Sequence, residues 1–200
     1  MWSDGYAAFD VETTGLGSSA RIVEVAVVTF SQRKPVHEWS RLLCPEGVDW
    51  DSQKVQDALN INKITRAQLE GQPTFQEILP DLLVELSLPT LVAHNAEFDI
   101  RLLNQELQRL NRPVLSPQLL VCTRDLASRF NWTNDGNKLD QAASRYGIAF
   151  EDAHRAAVDA RTCGYILGAI LEKHALPMEV APMAALCREA NDAWKRKRRW

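Results

Sequence analysis

The 200-residue sequence has few cysteines, Cys44, Cys122, Cys163 and Cys187, and no two of them are close together. That spacing excludes the short-range pairs from which zinc sites and redox centres are built. No apolar run approaches the roughly 18 residues that a membrane-spanning helix requires, so no membrane association is expected. The opening Met1-Trp2-Ser3-Asp4 has none of the basic-then-apolar pattern of a secretion signal. Internal repeats are absent, and the glycine-rich run Gly15-Leu16-Gly17-Ser18-Ser19 is not followed by the lysine of a phosphate-cradling loop. A small-molecule phosphate enzyme built on that run is therefore disfavoured. With 46% apolar and 24% charged residues, the composition is that of an ordinary globular chain. A reduced cytoplasmic protein is the simplest expectation.

Charge is unevenly distributed along the chain. The net charge is −3, yet Lys195-Arg196-Lys197-Arg198-Arg199 holds five positive side chains; without them the rest of the chain sums to −8. An acidic body repels nucleic acid unless divalent cations neutralise it, so a nucleic-acid role for the body requires metal. The basic run reads either as a solubilising end or as an arm tracking a phosphate backbone.

Residues 7–12 read as a strand with Asp10 and Glu12 on one face and Phe9 and Val11 on the other. Thr13-Thr14-Gly15 ends it, which sets the acid pair at the rim of a sheet. Ile22 to Phe30, rich in β-branched residues, is a central strand; Lys34-Pro35 marks a turn, and Val36 to Cys44 a third strand. Residues 45–74 hold short helices at most, at 52–59 and 65–69. Thr74-Phe75-Gln76-Glu77 opens a helix with a capping box, in which Pro80 implies a bend or a later start. Short strands follow at Thr90–Ala93 and Leu119–Cys122, with helices at 97–110, 123–130, 138–146, 155–173 and 182–194. Three strands followed by alternating helices and strands predict an α/β domain with a mixed sheet.

Further acids follow the later elements. Asn95 is a candidate helix cap, with Asp99 in the first turn beyond it, where the helix dipole favours a carboxylate. His154 and Asp159 flank the start of the long helix. They converge if His154 lies in the entering loop, and Ala156, Ala157 and Ala160 keep that turn slim. Carboxylates suit magnesium or manganese rather than zinc. Two such ions ~3.5–4 Å apart can hold both oxygens of an in-line displacement, and a histidine can deprotonate water near neutral pH. Hydrolysis of a phosphodiester is the chemistry that fits.

In sequence order the motifs are Phe9-Asp10-Val11-Glu12-Thr13-Thr14-Gly15-Leu16 with Ile22-Val23-Glu24-Val25-Ala26, then Val92-Ala93-His94-Asn95-Ala96-Glu97-Phe98-Asp99, then His154-Arg155-Ala156-Ala157-Val158-Asp159. Over residues 5–172 the chain resembles the DEDDh exonucleases, the group that includes the proofreading epsilon subunit of bacterial DNA polymerase III, ribonuclease T and oligoribonuclease. Three motifs in this order and spacing are specific.

The resemblance implies a ribonuclease H-like fold, a five-stranded mixed β-sheet flanked by α-helices. It implies an exonuclease domain over residues 1–176, with a C-terminal helix and basic tail over 177–200. Asp10, Glu12, Asp99 and Asp159 would ligate two Mg2+ or Mn2+ ions, and His154 would be the general base. Thr13 and Leu16 would lie near the terminal nucleotide, and His94 and Asn95 along the substrate cleft. The implied activity is 3′–5′ hydrolysis of nucleic acid to nucleoside 5′-monophosphates. DNA is expected ahead of RNA, and a polymerase or repair protein is an expected partner. An exoribonuclease, or a non-catalytic nucleic-acid-binding module, is the alternative. One departure stands out: Asn62-Lys63-Ile64-Thr65 has lysine where many relatives have glycine before Ile-Thr.

Overall fold

The computed structural model describes residues 5–131, 137–150, 155–176 and 180–197. Strand β1 (Gly5–Thr13) pairs antiparallel with β2 (Ile22–Ser31), and β2 with β3 (Lys34–Leu42). The turn between β2 and β3 is not at Lys34-Pro35 but at Gln32 and Arg33, both at positive φ (49° and 64°). Lys34 and Pro35 already belong to β3. Proline is tolerated there because β3 is an edge strand with a bulge at that point: Thr29 pairs with His37 and Phe30 with Pro35, leaving Val36 over.

The helices α1 (Gln53–Ile61) and α2 (Arg66–Leu69) follow, then α3 (Phe75–Glu85). Thr74 caps α3 with the predicted box, and Pro80 lies inside the helix, so the later start is excluded. Strand β4 (Thr90–Ala93) runs parallel to β1 and leads into α4 (Ala96–Arg109). Strand β5 (Leu119–Cys122) runs parallel to β4, followed by α5 (Thr123–Phe130), α6 (Leu139–Arg145), α7 (Ala156–Lys173) and α8 (Val180–Lys197). The sheet is five-stranded and mixed, in the order β3-β2-β1-β4-β5.

Alternation along β1 and β2 feeds two cores. Ala7, Phe9, Val25 and Val27 pack with the apolar stripes of α3 and α4 on one face. Tyr6, Ala8, Ala26 and Val28 pack with α5, α6, α7 and α8 on the other. On that second face the contact is close. A Cβ built at Gly164 of α7 would stand 2.1 Å from the Phe30 ring. Tyr6 stacks on Phe30 with ring centroids 5.0 Å apart and donates its hydroxyl to the Gly164 carbonyl at 2.9 Å. The sheet thereby fixes the height of α7. From α8, Met183 and Ala190 join the same core, with Leu186 packed against it, as its apolar spacing predicts.

Candidate active site

Asp10 and Glu12 continue the Tyr6-Ala8 face of β1, toward α7, by strand alternation. Asp159 lies in the first turn of α7. Carboxylate oxygens of Asp10, Glu12 and Asp159 come within 4.8 Å of one another. The fourth acid arrives from the first turn of α4: Asp99 is 2% exposed, and its carboxylate accepts from the Val11 backbone N–H. Its charge acts on Asp10 more strongly than those of Glu12 and Asp159. Three of the four acids that the motifs single out thus form one cluster, Asp10, Glu12 and Asp159, with Asp99 buried close enough for its charge to act on Asp10.

So many carboxylates in a buried space resist ionisation. Burial first, then the neighbouring Asp99, Glu12 and Asp159, holds Asp10 well above the ordinary aspartate range. Burial and Asp159 raise Glu12 to about 8, and burial raises Asp99 to about 8 against the opposing Val11 hydrogen bond. Oδ2 of Asp99 is buried and makes no hydrogen bond. An all-oxygen donor set, a buried carboxylate oxygen without a donor and acids that repel one another fit a hard divalent cation. Among the described residues, Asp10, Glu12 and Asp159 are the side chains that converge to hold it, with Asp99 beside Asp10.

The height and entry of α7 are set by a residue whose role the sequence did not reveal. Glu24 on β2 lies directly opposite Glu12 in the antiparallel register. It is buried, and instead of joining the acid cluster it accepts from Arg155 Nε at 3.3 Å, Arg155 Nη2 at 3.1 Å and the Ala156 backbone N–H at 3.2 Å. Glu24 therefore ties the start of α7 to the sheet, four residues before Asp159. A register slip between Glu12 and Thr13, where Thr13 pairs with Ile22, bends the strand at this point. The Glu24 residue type was in the motif; its partner, far away in sequence, was not legible.

Beyond Glu12 the chain turns through Thr13, whose hydroxyl donates to the Gly15 carbonyl at 2.7 Å. This loop borders a cavity of about 740 Å³ lined by Thr13, Leu16, Val55, Ala58, Ile61 and Asn62 among others. Leu16 is 79% exposed. Arginines hold the loop from outside. Arg101 Nη2 donates to the Leu16 carbonyl at 3.2 Å and Arg109 Nη2 to the Ser18 carbonyl at 2.8 Å. Arg21 grips buried Glu106 through Nε at 2.8 Å and Nη2 at 3.1 Å. From the opposite wall, Asn62 Nδ2 donates to the Thr13 carbonyl at 3.0 Å.

His94 is engaged within the fold at both ring nitrogens. Nε2 lies 2.8 Å from the Asn137 carbonyl, which only accepts, so the proton sits on Nε2 and Nδ1 accepts from the Thr123 hydroxyl at 2.9 Å. Burial lowers the His94 pKa to about 4, against the opposing Asn137 bond. Asn95 takes the N-cap position of α4 in a left-handed conformation, φ 76°, and its side chain makes no cap bond. Its carbonyl instead accepts from Phe98 N–H at 2.8 Å. His154 lies outside the described residues.

Comparison with known proteins shows the family and the fold. The family model described as exonuclease, RNase_T, matches residues 7–167. The chain is 33% identical to the DNA polymerase III subunit epsilon of Treponema pallidum (strain Nichols) over 172 residues, 85% of this chain and 78% of that one. It is 30% identical to the PolC-type DNA polymerase III of Clostridium perfringens over 189 residues, which is 92% of this chain but 12% of that polymerase. Among solved structures, the nuclease domain of 3′hExo, a DEDDh family member, bound to rAMP, superposes with a TM-score of 0.72 at 16% identity, covering 85% of this chain and 92% of that one. The shared fold is ribonuclease H-like.

Proposed function

The chain belongs to the exonuclease family and is a 3′–5′ exonuclease of the DEDDh type; from that premise we propose that it hydrolyses DNA from single-stranded 3′ ends to nucleoside 5′-monophosphates. The observation that carries the reading is the convergence of Asp10, Glu12 and Asp159 to within 4.8 Å, with buried Asp99 against them. Two magnesium or manganese ions, when bound, would polarise the scissile phosphate and stabilise the attacking and leaving oxygens. Asp10, Glu12, Asp99 and Asp159 supply the negative charge that holds them. The exposed Leu16 and the Thr13 turn sit where a terminal base and sugar would enter the cavity. Asn95 and His94 would contribute to the substrate cleft, His94 through its backbone, since both its ring nitrogens are engaged within the fold. His154 takes the proton from the attacking water, a role worth about 10²–10⁴-fold in rate.

DNA is preferred over RNA because the relative that the chain covers at 78% of its length is a DNA polymerase III subunit. By the same likeness, a replicative or repair polymerase is the proposed partner. The rAMP bound in the solved relative favours exoribonuclease activity as the second reading. End-labelled DNA and RNA oligonucleotides, single- and double-stranded, digested side by side in magnesium and in EDTA, decide between them. Mononucleotides should appear from the 3′ end of single-stranded DNA in magnesium and not in EDTA. Asp159→Ala should abolish their release, and wild-type turnover by that variant would overturn the site.

A further inference from the structure

The acid site does not use the basic run at 195–199, yet the fold sets its first residue, Lys195, against the first turn of α4. Met183 and Ala190 bury α8 in the core shared with α7, so the end of the helix emerges in a fixed direction. Lys195 Nζ comes to 3.9 Å from Glu97 Oε2. Glu97 stands in the first turn of α4, two residues before the buried Asp99. Between them lies a surface pocket of about 230 Å³ lined by Ala96, Glu97, Arg124, Asn191 and Lys195 among others. Lys195 and Arg196 are exposed. The pair with Glu97 is itself exposed on both sides (55% and 73%), and such ion pairs contribute little. A phosphate can displace it at small cost. The rest of the chain sums to −8 and so repels a polyanion everywhere else on average.

We propose that Lys195-Arg196-Lys197-Arg198-Arg199 binds the phosphodiester backbone of the strand whose 3′ end occupies the acid cluster, on its upstream side, so that affinity depends on strand length. The inference rests on the exonuclease reading but concerns a surface that the chemistry at the terminal phosphate does not need. If all five side chains meet single-stranded phosphates, they add about 3.5 to the slope of log affinity against log salt.

The test compares the full chain with a variant carrying Gln at Lys195, Arg196, Lys197, Arg198 and Arg199. Steady-state turnover is measured on a DNA strand of about 20 nucleotides and on a trinucleotide, from about 50 to 200 mM salt. Neutralising the run should raise KM for the long strand about tenfold or more at the low-salt end while leaving kcat, and both constants on the trinucleotide, unchanged. Equilibrium binding of the fluorescently labelled long strand in EDTA separates the run from catalysis, and its salt slope should fall by about 3.5. An unchanged slope and KM overturn the proposal, even where turnover confirms the exonuclease. A lower melting temperature with unchanged KM also overturns it, since the run would then serve only to complement the α8 dipole. If neither protein turns over either strand, the exonuclease reading fails, and the EDTA slope alone still decides the role of the run.

Discussion

Lys63 stands in a backbone conformation that ordinarily takes glycine. It is the residue after the C-cap of α1, at φ 54°, and the Ile64 N–H behind it reaches back to the Leu59 carbonyl at 3.0 Å. That position favours glycine, since any Cβ there meets the carbonyl side of the chain. The structure keeps the turn and tolerates the lysine because its side chain is exposed. Lys63→Gly should therefore raise stability by about 0.5–1 kcal/mol, the relieved strain less the added freedom of glycine in the unfolded chain. That corresponds to about 2 °C in melting temperature for a chain of this size, and a fall would show that the lysine has a partner. Asn62 beside it is fixed by its bond to the Thr13 carbonyl, so the exchange should leave the acid site alone. The acids themselves were legible because strand alternation and helix starts place side chains by local rules. Glu24 was not, since its work depends on Arg155, which is 131 residues away.

At the scale of elements, the acid cluster depends on how closely α7 lies on β1 and β2. The small residues Ala156 and Ala160 were visible in the sequence, but Gly164 became meaningful only once Phe30 was seen under it. No periodicity argument pairs a helix glycine with a ring on a distant strand. Gly164→Ala puts a methyl into the buried Phe30 ring and should cost about 1–3 kcal/mol as overpacking. Because α7 must rise or tilt to make room, Asp159 moves away from Asp10 and Glu12, and nuclease rate should fall along with stability. Phe30→Leu in the same chain vacates the contested space. The double variant should then be more stable than the sum of its single effects, with a coupling energy of roughly 1 kcal/mol or more in a double-mutant cycle. Strict additivity in melting temperature would mean that the helix seats elsewhere. The same dependence on distant partners explains why the arginine contacts made to and from α4 were not anticipated. Arg21 meets Glu106 across 85 residues, and Arg109 meets Ser18 across 91.

For the whole molecule, the succession of strands and helices along the chain followed from hydrophobic pattern, and the turn before β3 did not, because edge-strand proline and a bulge mimic a turn in sequence. What the fold builds is a stable sheet with a self-repelling acid cluster at its edge, and this makes stability depend on pH in a definite sense. Glu12 and Asp99 are raised to about 8 in the folded chain from ordinary values of 4.5 and 3.8, by burial first and then by Asp159 beside both. A folded pKa above the unfolded one means that the native state binds more protons between the two, so stability falls as pH rises through that window. In EDTA the melting temperature should be highest near pH 4–5, apart from general acid effects, decline toward pH 8, and level off above. Magnesium binds the ionised cluster of the folded state and competes with protons, so its stabilising effect should be small near pH 5 and grow to pH 8. Asp10→Asn removes one charge from the cluster; it should flatten the decline in EDTA, raise the melting temperature at pH 8, and abolish both turnover and the magnesium effect. Differential scanning fluorimetry of the two proteins across this range, with and without magnesium, reads all of these at once. A melting temperature for the wild type in EDTA that is indifferent to pH, or an Asp10→Asn chain that melts lower at pH 8, would mean that Asp10 is held by a structural partner and that the cluster is not the self-repelling cage its geometry describes.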